Sequence, residues 1–228
     1  MNSLVLLNGS PRGERSNSMK MLTRIAEGWQ RGGGQKPEVL HLAHRAGFDR
    51  AVQAFAEADT LVLGMPLYTD AMPALVKSYI EALQPRTAAA EGANPALGFL
   101  VQSGFPEASH SRPLERYLRK LAGRLGSRYA GTIVRGGGES LQMIPDRANQ
   151  KLWARLRTLG EQLYRDGSFG AAELRAVAGV ERMSALTVAL ARLAVHLPIA
   201  NFYWNGMLKK NGAWQRRFAA PYAPPCKL

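Results

Sequence analysis

A chain of 228 residues, 46% of them hydrophobic, has enough apolar material for one buried core and does not read as a disordered tail. Its single cysteine, Cys226, excludes an intrachain disulfide framework, a cysteine-ligated zinc centre and an iron–sulfur cluster, and suits a reducing cytoplasm. The net charge of +13 favours anionic cofactors, nucleic acid or acidic membrane, but no helix-turn-helix, RNA-binding signature or zinc finger accompanies it, so specific nucleic-acid binding is not expected.

The apolar run after Met1 covers only Leu4–Leu7 and stops at Asn8-Gly9-Ser10. It is too short for a secretory signal and reads as a first strand over Ser3–Leu7, so the chain is expected in the cytoplasm. Ser18–Arg31 predicts a helix with Leu22, Ile25 and Trp29 on one face, ended by Gly32-Gly33-Gly34. A short strand at Glu38–Leu42 and a short helix at Asp49–Ala58 follow. Thr60–Met65 is apolar without alternation, as in a parallel sheet covered on both faces. Pro73–Leu83 predicts a helix with Pro73 at its start. Ala96–Val101 is the fourth strand, Ser111–Leu125 a leucine-striped helix, Tyr129–Val134 the fifth strand and Arg147–Leu163 the closing helix.

Five strand–helix units in series predict an open, doubly wound α/β domain. Right-handed crossovers bring residues 9–18, 66–72, 102–110 and 136–146 to one sheet edge, where ligands of such sheets bind. The domain is expected over residues 1–167, with a helical, basic C-terminal extension over 168–228. Ala171–Ala178 looks helical within it, and Met183–Ala200 is mostly apolar. Arg192, His196 and Pro198 interrupt that run, so a helix packed on the core or on a second subunit is expected. Membrane-surface contact is the alternative use of this segment and the basic tail.

The loop Gly-Ser-Pro-Arg-Gly-Glu-Arg-Ser-Asn-Ser at 9–18 has the makings of a phosphate cradle. Gly9 permits a sharp turn, Ser10, Ser16 and Ser18 offer hydroxyls, and the next helix presents its positive end. The loop lacks the Gly-Lys-Ser/Thr ending of an ATP-binding loop and lacks Gly-x-Gly-x-x-Gly. The plainer reading is a polar turn with Ser16 or Asn17 as the helix cap.

Gly9-Ser10-Pro11-Arg12 followed by Ser16-Asn17-Ser18 resembles the FMN phosphate loop of flavodoxin-like NAD(P)H-dependent oxidoreductases, a group that includes NADPH-dependent FMN reductases and quinone reductases. Residues 58–68 and then 72–77 resemble the third strand, flavin loop and third helix of that family. Val101-Gln102-Ser103-Gly104-Phe105 resembles the loop after its fourth strand. The resemblance covers residues 1–165. It implies FMN as cofactor with NAD(P)H as co-substrate, strand order 2-1-3-4-5 and a homodimer. By that resemblance Ser10, Arg12, Ser16, Asn17 and Ser18 hold the phosphate. Pro66, Leu67, Tyr68, Thr69, Asp70 and Ala71 lie along the isoalloxazine ring, and Ser103, Gly104 and Phe105 meet its other side or the ribityl chain. No catalytic triad or metal is required, since the flavin carries the chemistry.

The activity so implied is hydride uptake from NAD(P)H and electron delivery to a small-molecule quinone, flavin, azo or nitro acceptor. An FMN electron carrier and a non-enzymatic binding module remain as rivals. Carriers of the flavodoxin type are usually acidic, which +13 opposes. Tyr68 is expected to stack on the ring or bond through its hydroxyl, the plainer reading being a half-buried loop tyrosine, and Asp70 and Phe105 suit either the site or ordinary loop and core roles. Gly136-Gly137-Gly138 permits close approach of a ligand or subunit, or is a plain turn. His110 is the one histidine in a loop on the predicted edge, and thus a candidate proton donor. Arg112, Arg116, Lys120 and Arg124 recur every four residues, as a solvated helix face or as a steering stripe for an anionic co-substrate.

Overall fold

The computed structural model describes residues 3–83, 94–196 and 201–220, without the side chains of Val195 and Tyr203. The end of the Met183–Ala200 run and the proline-rich tail with Cys226 lie outside the described residues. Residues up to Arg182 form one compact unit, and a second begins at Met183.

In the first unit, β1 (Leu4–Asn8), β2 (Glu38–His41), β3 (Thr60–Pro66), β4 (Asn94–Gln102) and β5 (Ser127–Arg135) form one sheet. All its strands are parallel and its order is β2-β1-β3-β4-β5, as expected. Period-2 geometry explains the unbroken apolar runs. Val5 and Leu7 of β1 join Leu61, Leu63 and Phe99 in one core, while Leu4 and Leu6 join Val62, Leu100 and Ile133 in the other. The first core is closed by α2 (Arg45–Glu57), α3 (Ala74–Ala82) and α4 (Arg112–Arg124), and the second by α1 (Asn17–Arg31) and α6 (Gln150–Asp166). A short α5 (Ser140–Met143) lies between β5 and α6. α7 (Ala171–Ala178) adds Leu174 and Val177 to the second core.

The crossing of α1 and α6 depends on two glycines. A Cβ on Gly28 would stand 1.9 Å from the Arg157 carbonyl oxygen, and one on Gly160 would stand 2.2 Å from that of Ile25. Backbone meets backbone there, so no side chain can yield.

Two helices differ in extent from the sequence expectation. α2 starts at Arg45 rather than Asp49, because Gly47 sits inside it where it reads as a breaker. That glycine lets the helix pass His41, whose carbonyl oxygen would be 2.4 Å from an added Cβ. α6 starts at Gln150, because Asp146–Asn149 is wound as a tighter 3₁₀ turn.

The second unit contains α8 (Ala185–Val195), α9 (Phe202–Lys210) and a 3₁₀ turn at Trp214–Arg216. Ser184 caps α8, its Oγ accepting the Thr187 amide at 3.1 Å.

Candidate functional site at the carboxyl edge of the sheet

Parallel strands deliver the loops after β1, β3, β4 and β5 to the same edge. The loop after β1 is built on Asn8, which is fully buried. The Asn8 Nδ2 donates to the Gly13 carbonyl at 2.7 Å and to His41 Nδ1 at 3.1 Å. The Asn8 Oδ1 accepts from the Ser10 amide at 3.1 Å and from Ser16 Oγ at 3.3 Å. One amide thus ties both limbs of the loop to β2. Accepting this hydrogen bond requires an unprotonated His41 Nδ1, and burial lowers the His41 pKa from its ordinary 6.5, with Glu14 opposing and His44 assisting.

Ser16 is the N-cap of α1, its Oγ accepting the Met19 amide at 3.1 Å. Its hydroxyl therefore organises the loop. Asn17 and Ser18 follow, both buried. The Asn17 Oδ1 and Ser18 Oγ have no hydrogen-bond partner. Such orphans are costly and call for an explanation. They stand beside the first-turn amides of α1, which have no acceptors within the helix. The Ser18 hydroxyl and those amides are donors, and donors gathered at a helix N-terminus suit an anion, whereas the Asn17 Oδ1 is an acceptor and adds nothing to that fit.

The loop after β3 contrasts with this. Leu67 donates its amide to the Gln102 carbonyl at 2.8 Å, holding the loop start to β4. Tyr68 and Ala71 then exchange two backbone hydrogen bonds, at 2.9 and 3.1 Å, around Thr69 and Asp70. Those two central residues have φ of +45° and +64°. Left-handed backbone is unfavourable for a β-branched threonine. Tyr68 is 46% exposed and Phe105, on the loop after β4, 54%.

The loop after β5 completes the edge. Gly137 and Gly138 donate their amides to the carbonyls of Phe105 (2.6 Å) and Ser103 (2.7 Å). Glu139 then faces the loop after β1. Arg12 approaches both its carboxylate oxygens at 3.3 Å, and Asn17 Nδ2 donates to it at 3.5 Å. Lys20 Nζ donates to the Leu141 carbonyl at 3.1 Å.

Ser10, Arg12 and Asn17 line one crevice with Pro66, Leu67, Tyr68 and Gly104, so the three motifs singled out in the sequence converge. Ser16 and Ser18 are buried in the same loop. Ser103, whose Oγ donates to the Phe105 carbonyl at 3.2 Å, and Phe105 stand beside it. Asp70 and Ala71 line a neighbouring depression of about 440 Å³ with Met72, Lys77, Ile80 and Tyr117, and Thr69 lines neither. Asn8, Gln102 and Glu139 are added by the structure. Asn8 ends a strand, and Glu139 follows three glycines on a loop already assigned to this edge.

His110 lies at the edge, its ring 4.8 Å from that of Phe105 and its Nε2 3.3 Å from Glu107. Arg112 is committed elsewhere. It meets Glu181 at 3.0 and 2.7 Å and Glu115 at 2.8 Å, which raises its own pKa and holds the Glu181 carboxyl below the usual range.

The crevice encloses about 50 Å³, room for one small polar group. A whole cofactor-sized ligand needs ~300 Å³ or more. The donor set beneath it fits a phosphate, and the exposed Tyr68 and Phe105 on the loops after β3 and β4 could flank a flat ring attached to it. On these two counts the residues present fit FMN.

The sequence model of the family described as having a flavodoxin-like fold matches residues 2–163. No curated protein matches the sequence. Among solved structures, an NADH:FMN oxidoreductase in its apo form is 19% identical, with TM-score 0.55, covering 82% of this chain and 99% of its own. An FMN-dependent NADH-azoreductase from Bacillus anthracis, in complex with FMN, is 16% identical, with TM-score 0.55, covering 72% and 100%. An NAD(P)H:quinone oxidoreductase from Methanothermobacter marburgensis is 18% identical, with TM-score 0.52, covering 72% and 98%.

Proposed function

The chain belongs to the flavodoxin-like family, and from that premise we propose that it is an FMN-dependent oxidoreductase. It takes hydride from NAD(P)H and passes electrons to a small-molecule quinone, flavin, azo or nitro acceptor. The observation that carries this reading is the buried, unpartnered Ser18 Oγ, a hydroxyl donor in the first turn of α1, in the loop that meets those after β3, β4 and β5 at one crevice. The names borne by the similar structures, an FMN oxidoreductase, an azoreductase and a quinone oxidoreductase, support the same class.

In this reading Ser10, Arg12, Asn17 and Ser18 bind the FMN phosphate, and Ser16 holds the loop that presents them. Arg12 exchanges its present partner, the Glu139 carboxylate, for the phosphate. Pro66, Leu67 and Tyr68 line one side of the ring. Thr69, Asp70 and Ala71 border its edge, and Ser103, Gly104 and Phe105 bound the other side. Bound there, the flavin supplies the two-electron chemistry. The chain's part is to orient the ring, leave one face open and aim backbone N–H groups of the 66–72 and 102–105 loops at developing negative charge. The depression beside Ala71 and Tyr117 offers room for a flat apolar acceptor. Residues 1–167 form the flavin domain and 168–228 its extension. The active form is a cytoplasmic homodimer.

Reconstitution tests the reading. Purified protein mixed with FMN and desalted is expected to be yellow with one flavin per chain, and to bleach at a catalytic rate when mixed anaerobically with NADH or NADPH. Failure to take up FMN would overturn the assignment. Uptake without bleaching would leave an electron carrier.

A further inference from the structure

We infer that the second unit is a docking element for an anionic lipid surface. α8 reads Ala-Leu-Thr-Val-Ala-Leu-Ala-Arg-Leu-Ala-Val. Leu186, Leu190 and Leu193 stand at i, i+4 and i+7, on one stripe, and are 58–70% exposed. Arg192 lies roughly 120° around the helix from that stripe. An apolar helix stripe left in water is unstable on its own and needs a cover. α9 repeats the pattern with aromatics. Trp204, Met207 and Leu208 share a side at i, i+3 and i+4, and Lys209 and Lys210 end the helix. Phe202 and Trp204 are 79% and 65% exposed, and Phe218 is 86% exposed. The Arg217 guanidinium sits 4.2 Å from the Trp214 ring centre and 4.7 Å from that of Phe218. Exposed aromatics interleaved with basic side chains suit a bilayer interface, where apolar bodies enter the acyl boundary and charged ends stay with the headgroups.

Charge decides between the covers. Residues 183–228 hold six of the chain's 30 lysines and arginines and none of its 17 acidic residues, a net +6. The other 182 residues carry the remaining +7. A second copy of the chain carries the same net positive charge, which disfavours it as the cover. An anionic bilayer attracts this segment, at about fivefold in affinity per basic residue near the surface. No helix among the described residues is long and apolar enough to cross a membrane. α8, with 11 residues, spans about 16 Å against about 30 Å of hydrocarbon. The unit lies on the surface. A dimer formed through the first unit is compatible with this.

Vesicle flotation of the full chain tests the inference without reference to flavin. With phosphatidylcholine and phosphatidylglycerol in equal parts, the protein is expected to float at low salt and to be released by high salt. With phosphatidylcholine alone it is expected to stay in solution. Lys209→Gln with Lys210→Gln lowers the affinity about 30-fold. Trp204→Ser with Phe218→Ser removes flotation while FMN uptake and near-ultraviolet dichroism are unchanged. Four results overturn the inference: no flotation of the unaltered chain on the mixed vesicles, equal flotation on neutral vesicles, capture by duplex DNA in place of vesicles, or a dimer that never floats and that Leu186→Ser with Leu190→Ser converts to monomer.

Discussion

The loops after β1 and β3 leave neighbouring strands at the same edge. In the first, Asn8, Ser10, Ser16, Asn17 and Ser18 are all buried, and a single amide makes four hydrogen bonds that set its course. In the second, Tyr68, Thr69, Asp70 and Ala71 are exposed, and the turn closes on itself with two left-handed residues. A phosphate is small, charged and the same in every turnover, so fixed buried donors suit it. A flat ring that must meet two different substrates needs an open wall. Rigidity and exposure are divided between adjacent strands accordingly.

The largest expected effect breaks the rigid half. Asn8→Ala removes all four bonds and leaves the Ser10 amide, the Gly13 carbonyl and His41 Nδ1 without that partner. A loss of about 3 kcal/mol in folding stability is expected in urea titration. FMN retention should fall with it. A loss below about 1 kcal/mol would mean that the loop holds its course without Asn8.

Ser18→Ala separates binding from folding. Its hydroxyl has no partner in the fold, so stability should hold or rise by up to about 1 kcal/mol. The FMN Kd, read by fluorescence quenching, should rise about tenfold, or ~1.4 kcal/mol. Lost stability with unchanged FMN affinity would place the phosphate elsewhere.

The open half responds in the opposite sense. Thr69→Asn puts a residue tolerant of the left-handed region into the turn and should gain about 1 kcal/mol in thermal unfolding. No gain would show that the threonine backbone there is unstrained. Tyr68→Ala should leave stability within about 0.5 kcal/mol, as for exposed positions. It should weaken FMN about fivefold and shift the flavin absorbance bands, by loss of an aromatic contact. An unaltered spectrum would remove Tyr68 from the ring wall.

How much of this was legible follows the same division. The strand–helix series could be read because apolar periodicity is strong over long elements, whereas the strand order came only with the family resemblance. The loop after β1 was legible as a local string of serines beside a helix start. Asn8 and Glu139 were not, because their roles depend on partners at the ends of other strands: His41 on β2 for Asn8, and Arg12 for a residue 127 positions further on. The division of labour between Ser16 and Ser18 was also invisible. Both are serines in one motif, and only burial and hydrogen bonding show that one caps the helix while the other is unpartnered. The start of α2 was misplaced because Gly47 is a breaker by propensity and a spacer by packing.

The smallest effect concerns the tie between the rigid loop and β2. His41 accepts from Asn8 only while its ring is neutral, and folding lowers its pKa below 6.5. The neutral ring's contribution is therefore complete above that value and fades as the pH falls through the lower folded value. The ring is partly exposed, so solvent reduces the effect, and a loss in FMN affinity below about threefold is expected between about pH 7 and about pH 5. The phosphate itself gains a proton over the same range, with its second pKa near ~6, so the wild-type slope alone is not diagnostic. His41→Gln supplies the control, since its amide oxygen can accept from Asn8 at every pH. The wild type should lose more affinity on acidification than this variant, and parallel slopes would assign the whole effect to the phosphate and none to His41.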